Sequence, residues 1–227
     1  MSSKKCPQIP DYPIPTTYSV GALVKGFPVI CGGWSLNNFD RVRECHILER
    51  TLYNNLQWRL FARLRRRRSL AGGVELNGKL WVTGGNDAYK VFFTTDLIST
   101  SGVVTRGPNL PHRREAHCMV KLTDGRVMII GGKTERSSKI ELPDVLIFNP
   151  VNMSFFADGF TEGPNMLLKR SSLACTVFKS QMHGGRSVVL VVGGAGRGQS
   201  NTSEILDYEK ANATWEKGNH IQTLRIF

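Results

Sequence analysis

The chain has 227 residues, of which 41% are hydrophobic and 21% are charged, as is typical of a globular protein that folds as one unit. No apolar run is long enough for a membrane-spanning helix, and the amino terminus lacks the apolar segment of a secretory signal. Thirty lysine and arginine residues against 18 acidic residues give a net charge of +12, which is compatible with an acidic partner.

Residues 1–16 form a leader that is rich in proline and has little hydrophobic periodicity. Its four prolines are Pro7, Pro10, Pro13 and Pro15. Such a composition predicts an extended or disordered segment. The folded domain is therefore expected to cover residues 17–227.

Four apolar, β-prone runs along the chain each end in a pair of glycines. A continuous run of this kind predicts a strand that is buried on both faces. The glycine pair allows positive φ angles and the close approach of another backbone. The second glycines recur at intervals of roughly 50 residues, which indicates a repeat architecture. They are Gly33, Gly85, Gly132 and Gly194.

The repeats also agree outside the glycine pairs. A second strand precedes each pair, and turns such as Asn77 to Lys79 and Asp124 to Arg126 favour a hairpin between the two strands. A third strand and a closing aromatic follow, although the second copy lacks the closing aromatic. Each repeat is thus predicted to form one four-stranded antiparallel sheet, and the four copies are bounded by residues 17–64, 65–110, 111–168 and 169–227.

This pattern resembles the kelch family, whose repeats are the blades of a β-propeller, over about residues 17 to 226. The resemblance implies an all-β fold, a kelch-type propeller of about four blades. Kelch propellers usually have more than four blades. We therefore expect the chain to be part of a larger propeller, with unusually tight closure or pairing with another chain as alternatives, and self-association if only four blades are present.

The five cysteines show no CxxC motif and no metal-ligand spacing. Cys118 and Cys175 fall at matching places in successive repeats, which favours small buried thiols, with a disulfide or a metal site as the alternative. Asn-X-Ser/Thr triplets at Asn152, Asn201 and Asn212 are interpreted as chance, since no secretory signal is seen. A reducing compartment, cytoplasmic or nuclear, is therefore expected.

The sequence contains no recognisable constellation for catalysis. Its histidines do not recur at one repeat position and do not show metal-ligand spacing. The glycine-rich stretch at residues 193–200 lacks the Lys-Ser/Thr of a phosphate-binding loop and is predicted to be a flexible loop. We accordingly predict no catalytic residues, no bound metal and no cofactor, and a protein that is not an enzyme.

A cluster of arginines, Arg63 and residues 65–68, lies in the first loop between repeats. It is compatible with a solvated loop, with recognition of an acidic protein segment through bidentate contacts to carboxylates, or with nuclear import or nucleic-acid binding. Nucleic-acid binding is disfavoured because no stacking aromatics interleave with the arginines.

The kelch resemblance also implies where a partner would bind. In kelch substrate receptors the ligand face is built by the loops after the glycine pairs and by the loops between blades, often with arginine. Blade-to-blade bridging is an equal alternative for the three arginines between blades, and Arg225 holds the same repeat position at the carboxyl end. The predicted partner-binding residues are Trp34, Arg68, Asn86, Arg114, Lys133, Arg170 and Arg197.

The function that the resemblance implies is a protein-interaction module that binds a segment of a partner protein, with an acidic segment favoured by the arginines. In the family such propellers often carry a BTB domain and act as substrate adaptors of ubiquitin ligases. The alternative is an enzyme that resembles galactose oxidase or a sugar-acid isomerase of the kelch type.

Overall fold

The computed structural model describes residues 9–135, 141–152, 159–195 and 201–218. Within these ranges the protein contains 19 β-strands, two short 3-10 helices and no α-helix. The 3-10 helices cover Pro150–Asn152 and Gln181–His183. The predicted all-β class is confirmed.

Most strands are three to eight residues long, as expected for short antiparallel sheets. In chain order the strands are β1 (Thr16–Thr17), β2 (Val20–Val24), β3 (Phe27–Cys31), β4 (Trp34–Ser35), β5 (Asp40–Arg41), β6 (Glu44–Arg50), β7 (Leu56–Arg63), β8 (Gly72–Leu76), β9 (Lys79–Thr83), β10 (Thr95–Ile98), β11 (Val104–Arg106), β12 (Cys118–Lys121), β13 (Val127–Ile130), β14 (Val145–Phe148), β15 (Phe160–Glu162), β16 (Ala174–Lys179), β17 (Ser187–Val192), β18 (Ser203–Leu206) and β19 (Trp215–Lys217).

Sixteen of these strands form the four predicted four-stranded antiparallel sheets. Sheet 1 has the order β2-β3-β6-β7, sheet 2 β8-β9-β10-β11, sheet 3 β12-β13-β14-β15 and sheet 4 β16-β17-β18-β19. The apolar runs that end in glycine pairs are β3, β9, β13 and β17, the second strand of each sheet. A small sheet of β1, β4 and β5, which the sequence did not predict, adjoins sheet 1.

Consecutive sheets pack face to face through apolar layers. The first strands of neighbouring sheets are in contact, β2 with β8, β8 with β12 and β12 with β16. Between sheets 2 and 3, the rings of Trp81 and Phe148 lie 4.7 Å apart, measured between centroids. Sheets 2 and 3 are therefore buried on both faces, which explains their unbroken apolar runs.

A line of backbone hydrogen bonds joins the turns that lead into the sheets. The N–H of Leu70 donates to the carbonyl of Tyr18 (3.1 Å), that of Ala116 to Leu70 (2.8 Å) and that of Ser172 to Ala116 (2.7 Å). All four residues have positive φ angles, between 52° and 57°. These bonds hold the lead-in turns side by side, and across the described residues the series of sheets does not close on itself.

The described part of the leader contains no helix and packs on sheet 1. The Tyr12 ring meets the rings of His46 and Trp58 edge-on, and the Trp58 indole N–H donates to the carbonyl of Pro10 at 3.0 Å. The Tyr12 hydroxyl lies 3.2 Å from His46 Nδ1. Burial, with the nearby charge of Glu44, raises the pKa of Tyr12 to about 12. The leader thus covers part of the sheet 1 face that points away from sheet 2.

The expectation that Cys118 and Cys175 are free buried thiols is wrong. Cys31 and Cys45 form a disulfide between β3 and β6, and Cys118 and Cys175 form a disulfide between sheets 3 and 4. Cys6 lies outside the described residues.

The pairing of Cys118 with Cys175 follows from strand parity. Counted from the buried arginine before each sheet, Cys118 stands four residues after Arg114, whereas Cys175 stands five after Arg170. Since side chains alternate between the faces of a strand, this offset of one places the two thiols on opposite faces of their sheets. Both side chains consequently point into the layer between sheets 3 and 4.

Candidate partner-binding face

The loops after the glycine pairs and the loops between sheets lie on the same side of the molecule, as predicted. The residue after each glycine pair forms a backbone β-bridge within its own sheet's loops. Its partner is the residue immediately before the positive-φ residue of the lead-in turn. The bridged pairs are Trp34 with Thr17, Asn86 with Ser69, Lys133 with Glu115 and Ala195 with Ser171. We call this side of the molecule the glycine face.

Three of the predicted site residues are buried beneath this face. Arg68, Arg114 and Arg170 expose 1%, 0% and 0% of their surface. Each guanidinium donates from Nη1 to the carbonyl of the first glycine in the pair of its own sheet. The distances are 2.8 Å to Gly84, 2.7 Å to Gly131 and 2.7 Å to Gly193.

Each guanidinium is also paired with a carboxylate of the third strand or of the residue before that strand. Arg68 contacts Asp96 at 3.2 Å and Arg170 contacts Glu204 at 2.9 Å. Arg114 contacts Asp144, which also lies near His112. Burial alone would raise the pKa of Asp144, but its hydrogen bonds to His112 and Arg114 outweigh burial and hold the pKa well below its usual range.

The backbone of the same arginines reaches the preceding sheet. The carbonyls of Arg68, Arg114 and Arg170 accept hydrogen bonds from the N–H groups of Gly33 (2.8 Å), Gly85 (2.9 Å) and Gly132 (2.7 Å). Each arginine therefore ties one sheet by its backbone and the next by its side chain, an arrangement we call the arginine clamp. The three arginines thus bridge neighbouring sheets, which was the alternative considered from the sequence. The prediction that they line a ligand site is corrected, because their side chains are buried.

The remaining predicted residues differ in what they offer to a partner. Asn86 is buried and donates to the carboxylate of Glu115, so it presents little surface. Lys133 is partly exposed, 3.8 Å from the same carboxylate. Trp34 is half-buried on the glycine face. Arg197 lies outside the described residues.

A cleft of about 530 Å³ opens on the glycine face beside sheet 1. Its walls come from the leader at Pro13 and Ile14, from residues 35–44 after the first glycine pair, and from Arg67 in the loop between sheets 1 and 2. Sequence reasoning singled out the loops but not this cleft.

Three arginines give the cleft its chemistry. The Arg41 guanidinium lies 4.4 Å from the centroid of the Trp34 ring, a cation–π contact that fixes both side chains. Arg43 is exposed, and Arg67 is exposed beside Asp40 at 2.5 Å. Arg43 and Arg67 are thus the two exposed arginines of the cleft, whereas Arg41 lines it from a buried position with 8% of its surface exposed.

Two carboxylates, those of Asp40 and Glu44, partly balance this charge. Burial would raise the pKa of Glu44, but backbone hydrogen bonds and the charges of Arg63 and Arg43 outweigh it and lower the pKa. The Glu44 side chain is therefore deprotonated except at acidic pH. With three cations against two anions, the cleft keeps an excess of positive charge that suits an anionic group.

The sequence does contain a signal for this cleft. Arg41 and Arg43 flank Val42 in the loop after the first glycine pair, and Arg67 belongs to the arginine cluster. Two backbone hydrogen bonds bring the two loops together, from the Leu64 N–H to the Arg43 carbonyl (2.8 Å) and from the Arg68 N–H to the Val42 carbonyl (3.2 Å). The folded structure, and not the sequence, shows that these two loops are neighbours.

The rest of the arginine cluster is divided among different contacts. Arg65 pairs with the buried carboxylate of Asp96 at 2.5 Å, and the exposed Arg66 lies 5.6 Å from the Phe92 ring centroid. Among the described residues no group of three or more His, Cys, Asp or Glu side chains could hold a metal ion. No helix in the described ranges is long and apolar enough to cross a membrane.

No protein-family model and no curated protein matches the chain. Among solved structures, the chain is similar to YjhT, with a TM-score of 0.75 and 15% sequence identity over 95% of this chain and 68% of YjhT. At this level of identity the similarity concerns the fold alone.

Proposed function

We propose that the chain is a kelch-type β-propeller unit that serves as a protein-interaction module and binds an acidic segment of a partner protein in the cleft on the glycine face. The repeat pattern supports the propeller, as does the face-to-face packing of four consecutive sheets. The observation that carries the function is the convergence of Arg41, Arg43 and Arg67 in one cleft.

The chemistry of the cleft suits glutamate and aspartate side chains. Guanidinium groups bind carboxylates bidentately, and Arg41 is held in place by the Trp34 ring. Pro13 and Ile14 provide an apolar wall against which the aliphatic part of a bound segment can pack. Each exposed charge contact contributes only about 0.2–1 kcal/mol, so binding requires several contacts together.

The proposal does not include the ubiquitin-ligase adaptor role or the cytoplasmic location that the sequence suggested. Both belong to a reducing compartment, whereas the structure contains two disulfides. Self-association through the outer faces of sheets 1 and 4 stays a prediction.

Binding of a fluorescent glutamate-rich peptide, measured by anisotropy, tests the proposal. Changing Arg43 and Arg67 together to alanine should weaken binding by about tenfold, since two charge contacts of about 0.7 kcal/mol each, within the usual range, are lost. Added salt should weaken binding to the parent protein in the same direction.

Arg126→Ala is the matched control. Arg126 lies in the hairpin between β12 and β13, at the opposite end of the sheets from the glycine face, and pairs with Asp124 at 2.6 Å. Its loss should leave binding unchanged. If both variants weaken the peptide equally, binding reflects overall charge; if neither does so while the variants stay folded, the cleft is not the site.

A further inference from the structure

The disulfides change the meaning of the Asn-X-Ser/Thr triplets. All four cysteines that the structure describes are paired, one pair within sheet 1 and one pair between sheets 3 and 4. Structural disulfides form and persist in oxidising compartments such as the lumen of the secretory route. In that compartment Asn-X-Ser/Thr is also the acceptor sequence for an N-linked glycan.

Asn212 has the placement that a glycan requires. The triplet Asn212-Ala213-Thr214 lies in the turn between β18 and β19, and both Asn212 and Thr214 are exposed. Asn212 has a φ of 56°, a left-handed conformation that asparagine tolerates in turns. Lys210 and Ala211 beside it are exposed as well, so the turn projects into solvent.

The other two triplets offer less support. Asn201 is half-buried, and Thr202 and Ser203, which complete its triplet, expose only 7% and 8% of their surface. The Thr202 hydroxyl also accepts a hydrogen bond from Arg170 at 2.8 Å, within the arginine clamp. Asn152 ends the 3-10 helix Pro150–Asn152, and the rest of its triplet lies outside the described residues.

We propose that Asn212 is an N-linked glycosylation site and that the chain matures in an oxidising compartment. The donor is an oligosaccharide carried on a polyprenyl pyrophosphate. A bond forms between the Asn212 side-chain nitrogen and C1 of the first sugar, and the bond between that carbon and the phosphate oxygen breaks. The amide nitrogen loses one proton and the lipid pyrophosphate leaves, so no oxidant or reductant is required.

A glycan at this position would leave the proposed binding cleft open. The β18–β19 turn lies at the hairpin end of the sheets, where the Tyr208 hydroxyl bonds to Thr123 (2.8 Å) and Arg186 pairs with Asp207 (2.8 Å). The cleft is at the other end, on the glycine face. Glycosylation and partner binding can therefore be tested independently.

The test is a mass measurement on the protein isolated from its native cells. Treatment with peptide N-glycosidase should lower the intact mass and convert Asn212 to aspartate, and non-reducing peptide mapping should recover Cys118 linked to Cys175. An unmodified Asn212, or the same cysteines recovered as free thiols, would overturn the proposal.

Variants of the full chain, directed into the secretory route of cultured eukaryotic cells, separate the acceptor from its surroundings. Thr214→Ala should abolish the glycosidase-sensitive mass, whereas Thr214→Ser and Asn201→Gln should keep it. Since Thr214 is exposed, the two changes at this residue should leave thermal unfolding unaltered. A glycosidase-sensitive mass that persists in Thr214→Ala and disappears in Asn201→Gln would place the glycan elsewhere.

Discussion

At the scale of single residues, the feature that needs most explanation is a buried arginine charge that recurs before three of the four sheets. A buried guanidinium is tolerated only when hydrogen bonds and an opposite charge replace its lost hydration. Arg170 meets this condition through the Gly193 carbonyl, Thr202 and Glu204. The recurrence of the same arrangement at Arg68 and Arg114 indicates that the clamp is a device of the fold rather than of one site.

The clamp predicts a large difference between two adjacent arginines. Changing Arg114 to methionine leaves the Gly131 carbonyl without its guanidinium donor and leaves the partly exposed Asp144 carboxylate with His112 as its remaining partner. Because a buried carbonyl loses its donor while the carboxylate keeps some solvent and His112, the free energy of unfolding should fall by about 1–3 kcal/mol. Arg113 is exposed, so Arg113→Met should change the free energy of unfolding by no more than about 0.5 kcal/mol. Urea unfolding measures both, and similar midpoints for the two variants would contradict a structural role.

At the scale of the elements, the glycine pairs end the second strands because two backbones meet there. A Cβ on Gly132 would lie 2.5 Å from the Glu115 carbonyl oxygen and 2.9 Å from His117 Cβ. The φ of Gly132 is also positive, at 96°. Conformation and space therefore both select glycine at this strand end.

A pair of variants separates these two requirements. Gly125, in the β12–β13 hairpin, has a φ of 89°, but a Cβ at this residue would meet no other atom within 4 Å. Gly125→Val should cost about 1 kcal/mol from backbone strain alone, whereas Gly132→Val should cost about 2 kcal/mol or more because the crowding adds to the strain. Thermal unfolding of both proteins provides the comparison. Equal losses would mean that crowding at Gly132 is relieved without cost.

The strands and hairpins could be predicted because their signals are local. The Asn77-Gly78 turn, for example, has the positive φ angles that its sequence predicted, 50° and 78°. The sequence offered bridging as one of two alternatives for the three arginines, but the carboxylate partners of the clamp could not be predicted, because they stand at unequal offsets. Asp96 and Glu204 are the second residues of their strands, whereas Asp144 precedes its strand. Because of this unequal spacing, the repeated arginine–carboxylate pairing is visible in the structure but not in the sequence.

The cleft and the disulfide between sheets were missed for a related reason. Both depend on which segments become neighbours across sheets, and that information is absent from any one repeat. The small sheet of β1, β4 and β5 has strands of only two residues, too short to leave a periodic pattern. For Cys118 and Cys175, an error of one residue in matching the repeats reverses the face on which a thiol lies.

At the scale of the whole molecule, the two ends of the open series are held differently. Sheet 1 is packed against sheet 2 on one face and carries the leader on the other through Tyr12. Sheet 4 packs on sheet 3, while Ala174, Thr176 and Phe178 on its first strand are exposed. Within the described residues sheet 4 is packed on one face, so it depends strongly on that contact, and the Cys118–Cys175 disulfide crosses it.

Loss of this disulfide should therefore destabilise the protein more than loss of the other one. Cys118 and Cys175 are 57 residues apart and Cys31 and Cys45 are 14 apart. Since the stabilisation grows with the length of the closed loop, replacing the first pair with alanine should cost about 4 kcal/mol and replacing the second about 3 kcal/mol. Urea unfolding under non-reducing conditions gives both values.

The part of the structure that each disulfide loss destabilises is a more specific test than the change in the free energy of unfolding. Without the Cys118–Cys175 bond, amide hydrogen exchange should quicken first in β16–β19, because sheet 4 then opens while sheets 1 to 3 stay packed. Without the Cys31–Cys45 bond, exchange should quicken in β3 and β6 instead. A reductant should reproduce both changes in the parent protein and should not affect a variant lacking all four cysteines. Uniform exchange across the four sheets in either variant would mean that they unfold as one unit and that the disulfide does not secure the open end.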